Sequence, residues 1–476
     1  MEEILKAILK FIIAFFSFLW DGLIYFIDSF PKSNEYNAKF GSTSKIASPF
    51  NEGLLISHKG KLTRKKSFEN VLICGGTGSG KTSKLLIPIL LNLKNCSIVI
   101  NDPSKELYNK CSGYLSKFFY IKVLNFSDAS KSAGYNILSR IKKSNDIQKL
   151  ADLLTRTTVS GGNDPYWSIK TKETLSILVR LVLFQEKKYR TMANVLFFLN
   201  NMMANPEMID TLIVKTHDSK LLLDYKSLIA NSDKGLQNIL SSTKAALQNF
   251  DDDEIAKVTS YDSIDFEELR ERPTIIFLHN NVADAAYYST LNAIVFQQFY
   301  TYILSELPKD SDLDIFILLE EASSLYVPVL PLALANCRKY RVGTVIIIQA
   351  PEQLETCYGK EASNIINNCI TRIFLAGISS VNMLRELETI SGKFTYQDKK
   401  GAEKTRPLIT IDEARLLPEN RTLILHGNIP IIKGRVSPYY KSYKYQAFCN
   451  IPPVRLQTSL TSRPIKLFTE PLQEVE

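Results

Sequence analysis

The residues most able to do chemistry stand in one unbroken run, Gly75-Gly76-Thr77-Gly78-Ser79-Gly80-Lys81-Thr82-Ser83. The strand-like stretch Val71–Cys74 leads into it and a helical apolar pattern follows, so a complete GxxxxGK[ST] signature sits in the strand, loop and helix context it requires. Such a run serves phosphate binding. Glycines let backbone N–H groups curl around the oxygens with no Cβ in the way, and the helix N-terminus behind them favours an anion. Lys81 would neutralise the β- and γ-phosphates of ATP, and the Thr82 hydroxyl would ligate Mg²⁺. Pro88 falls inside the following helix and should kink or interrupt it.

A second apolar stretch, "DIFILLEE", ends in the adjacent carboxylates Glu320 and Glu321. In a phosphate-loop ATPase a further strand must end in an acid that holds the Mg²⁺ shell, and often in a second acid that orients or deprotonates the attacking water. Glu320 is the expected metal residue beside Thr82, and Glu321 the expected water residue. The bland alternative is a pair of helix-start acids. The next apolar run ends in Gln349, an amide able to sense the γ-phosphate because it both donates and accepts hydrogen bonds. It could equally be an ordinary polar strand end. Between them, in "NCRKYRVG", Arg338 or Arg341 could reach into a neighbouring subunit's site and supply transition-state charge, which requires a ring. Either could instead be a solvated surface residue.

These residues need strands to hold them. Short apolar runs recur at 97–101, 119–124, 274–279, 314–319, 343–349, 372–376 and 421–426, alternating with amphipathic helical stretches. Bare strands of that kind predict an α/β chain with a largely parallel sheet covered on both faces. Between about 146 and 256 only helical periodicity appears, as in "KETLSILVRLVLFQ", so an all-helical domain is expected to interrupt the α/β core. The predicted units are a basic entry segment at 31–69, a nucleotide-binding domain in two parts at 70–145 and 257–450, and a poorly ordered tail at 451–476. "DDDE" at 251–254 reads as a loop or helix start rather than a metal site.

The 476 residues are 45% hydrophobic, which is ample for a large core and excludes a disordered chain. A net charge of +9 permits an acidic partner such as DNA without requiring one. Seven scattered cysteines with no CxxC pair argue for free thiols and against a disulfide scaffold or zinc site. His279 and His426, each ending an apolar run, are expected to be structural.

Residues 1–30 are the most apolar part of the chain, yet Lys6, Lys10 and Asp21 interrupt them. On a helix, Glu3, Lys6, Lys10, Ser17, Asp21 and Asp28 fall within roughly 60° of one another, one polar stripe on a greasy rod. Three placements fit: a spanning helix whose stripe faces its oligomer, an interfacial helix, or one packed on its own protein. The lysines and arginines between Lys32 and Lys66 would hold the body on the cytoplasmic side of an inserted helix.

Taken in order, "FGSTSKIA", "GGTGSGKTS", "INDPSKELY", "DPYWSIKTKETL", "LLEEASSL", "CRKYRVGTVIIIQAPEQLETCYG", "NNCITRIF" and "RPLITIDEARLLPENRTLILHGNIPI" resemble the type IV secretion coupling proteins of TraG/TraD type, over about Phe40 to Tyr445. That resemblance implies a RecA-like phosphate-loop ATPase core with an inserted all-helical domain and an N-terminal hydrophobic helix. It also implies a homo-hexamer at the bacterial inner membrane with its body in the cytoplasm. Such a ring takes single-stranded DNA bound to a relaxase, with protein substrates, and pumps it toward the inner-membrane secretion components. By the same resemblance Lys81 and Thr82 fall on the Walker A positions, and Glu320 and Glu321 on the Walker B acids. Gln349 falls on the sensor glutamine, Arg338 on the arginine of an Arg-Lys pair, and Asp102 on the acid of an Asp-Pro-Lys-Gly-Glu-like block. Lys142, Lys143, Lys339 and Arg341 are candidates for DNA-phosphate contact.

The departures are specific. The family usually has two membrane spans, against one marginal helix here. "DPSKE" lacks the family glycine, and Ala350 stands where Ser is common. Glu320 replaces the usual Asp, displacing the carboxylate by roughly one C–C bond, about 1.5 Å. A substrate-recruitment adaptor that binds nucleotide with little or no hydrolysis is therefore the alternative function. A related chromosome-partitioning or packaging ATPase fits the C-terminal block less well.

Overall fold

The computed structural model describes residues 37–156, 165–279, 282–456 and 465–468. The helix expected over 1–30 lies outside them, and among the described residues no helix is long and apolar enough to cross a membrane. Nine strands form one sheet: β1 (Val71–Cys74), β2 (Cys96–Asn101), β3 (Tyr120–Leu124), β4 (Thr274–Leu278), β5 (Asp314–Leu319), β6 (Val342–Ile348), β7 (Thr371–Leu375), β8 (Arg421–His426) and β9 (Ile429–Arg435). Their order across the sheet is β9-β8-β7-β1-β6-β5-β2-β4-β3. From β7 to β3 every pairing is parallel, and the β8–β9 hairpin adds two antiparallel strands at one edge.

The strands lack polar residues because both faces are covered. Along β5, Ile315, Ile317 and Leu319 enter one core while Phe316 and Leu318 enter the other, all fully buried. The parallel order also puts the carboxyl ends of β1, β6, β5 and β2 side by side, on the rim where α/β sheets bind ligands. Each strand read from sequence is present to within one residue at either end.

Between β3 and β4 the described residues form helices and no strand, including Ser144–Arg156, Pro165–Phe184, Met192–Ala204 and Asp233–Leu247. The acidic run at 251–254 is a helix start: the Asp252 carboxylate accepts from the N–H groups of Glu254 and Ile255 and caps Asp253–Ser260. Pro88 acts as expected. Thr82–Leu86 winds as a wide π-type turn before the short helix Ile87–Asn92, which carries the proline in its first turn. Of the expected tail, 451–456 and 465–468 are described, and there Leu456 packs on the sheet's core and Phe468 is buried against the helices.

One buried amide fixes the start of β1. Asn70, in the left-handed region at φ +57°, donates to the carbonyls of Leu334 at 3.0 Å and Asn368 at 3.1 Å, and accepts from Thr344 N–H at 3.1 Å. Asn70→Ala removes three hydrogen bonds, two of them buried, and is expected to lower unfolding free energy by about 3 kcal/mol. Urea unfolding checks this, and a loss under about 0.5 kcal/mol, no more than a surface substitution gives, would leave the staple without energetic weight.

Candidate functional site

The phosphate loop follows β1 and owes its course to glycine. Gly78 and Gly80 adopt φ +75° and +82°, where side chains are strained. At Gly76 a Cβ would stand 2.3 Å from the Gly377 carbonyl oxygen, so only glycine lets the loop lie against the segment after β7. The Lys81 ammonium sits within the loop, donating to Gly75 O at 2.6 Å and Gly76 O at 3.2 Å. Burial lowers its pKa, and the neighbouring Glu320 and Glu321 carboxylates oppose that.

Glu320 lies at the tip of β5, buried, and accepts a hydrogen bond from the Thr82 hydroxyl at 2.7 Å. The extra methylene therefore does not prevent the contact between loop and acid strand. Its other oxygen, Oε2, is buried with no partner among the described residues. A hydroxyl and a carboxylate with a spare oxygen form a hard, oxygen-only donor set that fits Mg²⁺. Asn101 holds the peptide beneath: its amide donates to Glu320 O at 2.7 Å, and its own carbonyl accepts from Glu320 N–H at 3.3 Å.

Burial pushes the Glu320 carboxyl up to about 7, the Thr82 hydrogen bond opposing, and the charges of Asp102, Glu106 and Glu321 adding to the rise. A cation needs the carboxylate, so its binding must displace the proton below that value. The apparent affinity for Mg²⁺-nucleotide is expected to weaken as pH falls from 8 to 6, approaching tenfold per unit below about 7. Titrations at those two pH values check this; equal affinities would remove Glu320 from the cation.

Glu321 points elsewhere. Its φ of +54° is unusual for a residue with a side chain and turns the backbone sharply, so the two adjacent carboxylates diverge: Glu320 into the sheet rim, Glu321 into solvent. Only a three-residue turn, Ala322–Ser324, follows, so the pair does not open an α-helix. Gln349, just past β6, accepts from the Thr77 hydroxyl at 3.2 Å, while its N–H donates to Gln353. The structure thus brings Thr77, Lys81, Thr82, Glu320 and Gln349 together.

Arg338 and Arg341 occupy the opposite rim, ahead of β6. Arg338 is 58% exposed and pairs with Glu69 at 3.1 Å. Arg341 is committed within the chain: its guanidinium binds the Asp314 carboxylate at 2.8 Å and the carbonyls of Lys309 and Asp312. That corrects its reading as a finger or a DNA contact and leaves Arg338. Lys142 and Lys143 line a groove of about 920 Å³ whose lining also includes Asp262, Asp265, Glu267 and Glu306, a mixed lining rather than a uniformly basic track.

Sequence reasoning assigned no role to Asn101, whose only signal was a polar residue ending an apolar strand. Asp102, noted only through the resemblance, is fully buried and caps helix Glu106–Leu115 by accepting from the N–H groups of Leu107 and Tyr108; burial raises it to about 6. His279 and His426 are both buried. Burial takes His279 down to about 3 edge-on against Tyr108, and His426 bonds Thr371 at 2.8 Å. All seven cysteines are free, and no other cluster of potential metal ligands occurs among the described residues.

A family model described as type IV secretory system conjugative DNA transfer matches residues 34–462. Similar solved structures include the bacterial conjugative coupling protein TrwB in its deltaN70 form with sulphate, at 19% identity and TM-score 0.66, covering 86% of this chain and 96% of that one. TrwB with the non-hydrolysable ATP analogue ADPNP gives 20% identity and TM-score 0.64, covering 84% and 93%. TrwB with ADP and Mg²⁺ gives 20% and 0.65, covering 84% and 94%. At these identities the structural likeness speaks for the fold. No curated protein matches the sequence.

Proposed function

Because the chain belongs to the type IV secretory system conjugative DNA transfer family, we propose that it is the ATP-driven coupling protein of such a system, which takes relaxase-bound single-stranded DNA and moves it toward the membrane channel. The observation that carries the hydrolytic part is the 2.7 Å contact between Thr82 and Glu320, which joins the phosphate loop to the acid strand in one oxygen donor set. The ADP and Mg²⁺ bound by the similar TrwB suit that set.

In this reading the loop N–H groups and Lys81 grip the β- and γ-phosphates. Thr82 and Glu320 would hold Mg²⁺, which when bound neutralises charge on the phosphate oxygens. Glu321, free at the rim, orients the attacking water and takes its proton. Gln349 links the loop, through Thr77, to the β6 strand end and the following helix, and so passes the nucleotide state to the body. Arg338 enters from the neighbouring subunit. The working form is a homo-hexameric ring at the bacterial inner membrane, body in the cytoplasm, associated through residues 1–30. Residues 70–145 and 257–450 form the nucleotide-binding domain around the helical domain 146–256. DNA contact runs through phosphates and is salt-dependent, with Lys142, Lys143 and Lys339 as candidates.

An ATPase assay with and without single-stranded DNA, on chains with and without residues 1–35, tests this. DNA-stimulated turnover is expected. ATP binding without hydrolysis under every condition would leave the adaptor reading, and stronger stimulation by double-stranded DNA would favour a partitioning or packaging ATPase.

A further inference from the structure

The end of the chain makes a contact that the nucleotide chemistry does not use. After helix Tyr443–Cys449 it first lies on the nucleotide-binding half, where Val454 N–H donates to Ser112 Oγ at 3.2 Å and the Val454 carbonyl accepts from the Tyr108 hydroxyl. Gly113 permits this crossing, since a Cβ there would stand 2.1 Å from the Pro452 carbonyl oxygen.

Residues 465–468 then lie on the helical block. Asn194, fully buried in the first turn of helix Met192–Ala204, holds their backbone with both ends of its amide: Nδ2 donates to Lys466 O at 3.0 Å, and Oδ1 accepts from Phe468 N–H at 2.9 Å. The same Nδ2 donates to Tyr189 O at 2.8 Å and bonds Thr191 Oγ1 at 3.2 Å, so the amide is oriented by its own block. The Phe468 ring is 4% exposed, edge-on to Tyr189 and Phe198 with centroids 5.4 and 5.5 Å away. Lys466 and Leu467 turn outward. One aromatic anchor, a two-point backbone clamp and outward neighbours describe a bound peptide better than a core strand, which would bury every second side chain.

We propose that the helical block carries a peptide-recognition site for an extended segment with an aromatic anchor, and that the chain's own residues 465–468 are its resident, exchangeable ligand. Covalent attachment presents that ligand at an effective concentration on the order of millimolar, which keeps a modest contact occupied. Occupancy ties the helical block to helix Glu106–Leu115, whose cap Asp102 borders the nucleotide rim.

The test uses a fluorescent peptide of residues 463–472 and the full chain. The Phe468→Ala protein, its tail anchor removed, is expected to bind the peptide at least tenfold more tightly than wild type, whose tail competes. A peptide with alanine at position 468 should not bind, and adding Asn194→Ala to the Phe468→Ala protein should weaken binding at least tenfold. Equal binding of the two peptides, or none by a Phe468→Ala protein that melts as wild type does, overturns the proposal. Should Phe468→Ala fail to fold, a chain ending at Leu456 is melted with and without the peptide. A raised melting temperature supports the site, and no change overturns it, leaving residues 465–468 as a fixed part of the core.

Discussion

Glu321→Gln is expected to bind ATP as wild type does while hydrolysing it about 10³-fold more slowly, the scale on which a positioned proton acceptor acts. The amide keeps the shape of the carboxylate and its hydrogen-bonding reach but cannot take the proton of the attacking water. Nothing that grips nucleotide changes, since Lys81 and Thr82 belong to the loop, and Glu320 faces Thr82 through a separate hydrogen bond. The fold is unaffected because the Glu321 side chain is exposed. Glu320→Gln should fail differently, losing Mg²⁺ affinity together with turnover. Equilibrium nucleotide binding and steady-state turnover, measured on both variants with and without Mg²⁺, separate the roles. Turnover by Glu321→Gln within threefold of wild type would remove Glu321 from the chemistry.

The two residues and their expected roles were legible in the sequence, but the geometry that separates them was not. Two carboxylates after an apolar strand could be named, but their divergence depends on the left-handed backbone at Glu321, which no propensity of glutamate favours. The strands were legible because a sheet covered on both faces needs continuous apolar runs with little ambiguity of type. β9 escaped because Pro430 and Gly434 break its pattern; as an edge strand it tolerates both. The hairpin Lys393–Gln397 with Glu403–Pro407 escaped because it is mostly exposed and polar. Arg341 looked like a free cation because its partners, the Asp314 side chain and two backbone carbonyls, are a tertiary arrangement that spacing does not disclose. The seat of Phe468 was not legible because it lies on helices more than 250 residues earlier, reached through an asparagine at separation 274.

Arg338→Ala is expected to lower turnover by about 10³-fold, the low end for a transferred arginine, and to regain activity when mixed with Lys81→Ala protein that is itself inactive. The reason is positional. Arg338 stands ahead of β6 and the phosphate loop beyond the far end of β1, which pairs with β6 in parallel. Seven residues of strand at about 3.3 Å each separate those rims by roughly 20 Å, too far for a side chain to reach its own site. Its partner Glu69 holds it weakly, since a pair with one member 58% exposed gains little in water, and a neighbouring subunit's phosphates can displace that carboxylate. In a mixed ring, a subunit with intact Lys81 beside one with intact Arg338 makes a complete site, and at equal input about a quarter of interfaces are of this kind. Turnover near that fraction of wild type is the expected result. As the control, Arg338→Ala protein mixed with the Lys81→Ala, Arg338→Ala double variant offers no complete interface and should stay inactive. Recovery absent from both mixtures would place Arg338 on the surface rather than in a neighbour's site.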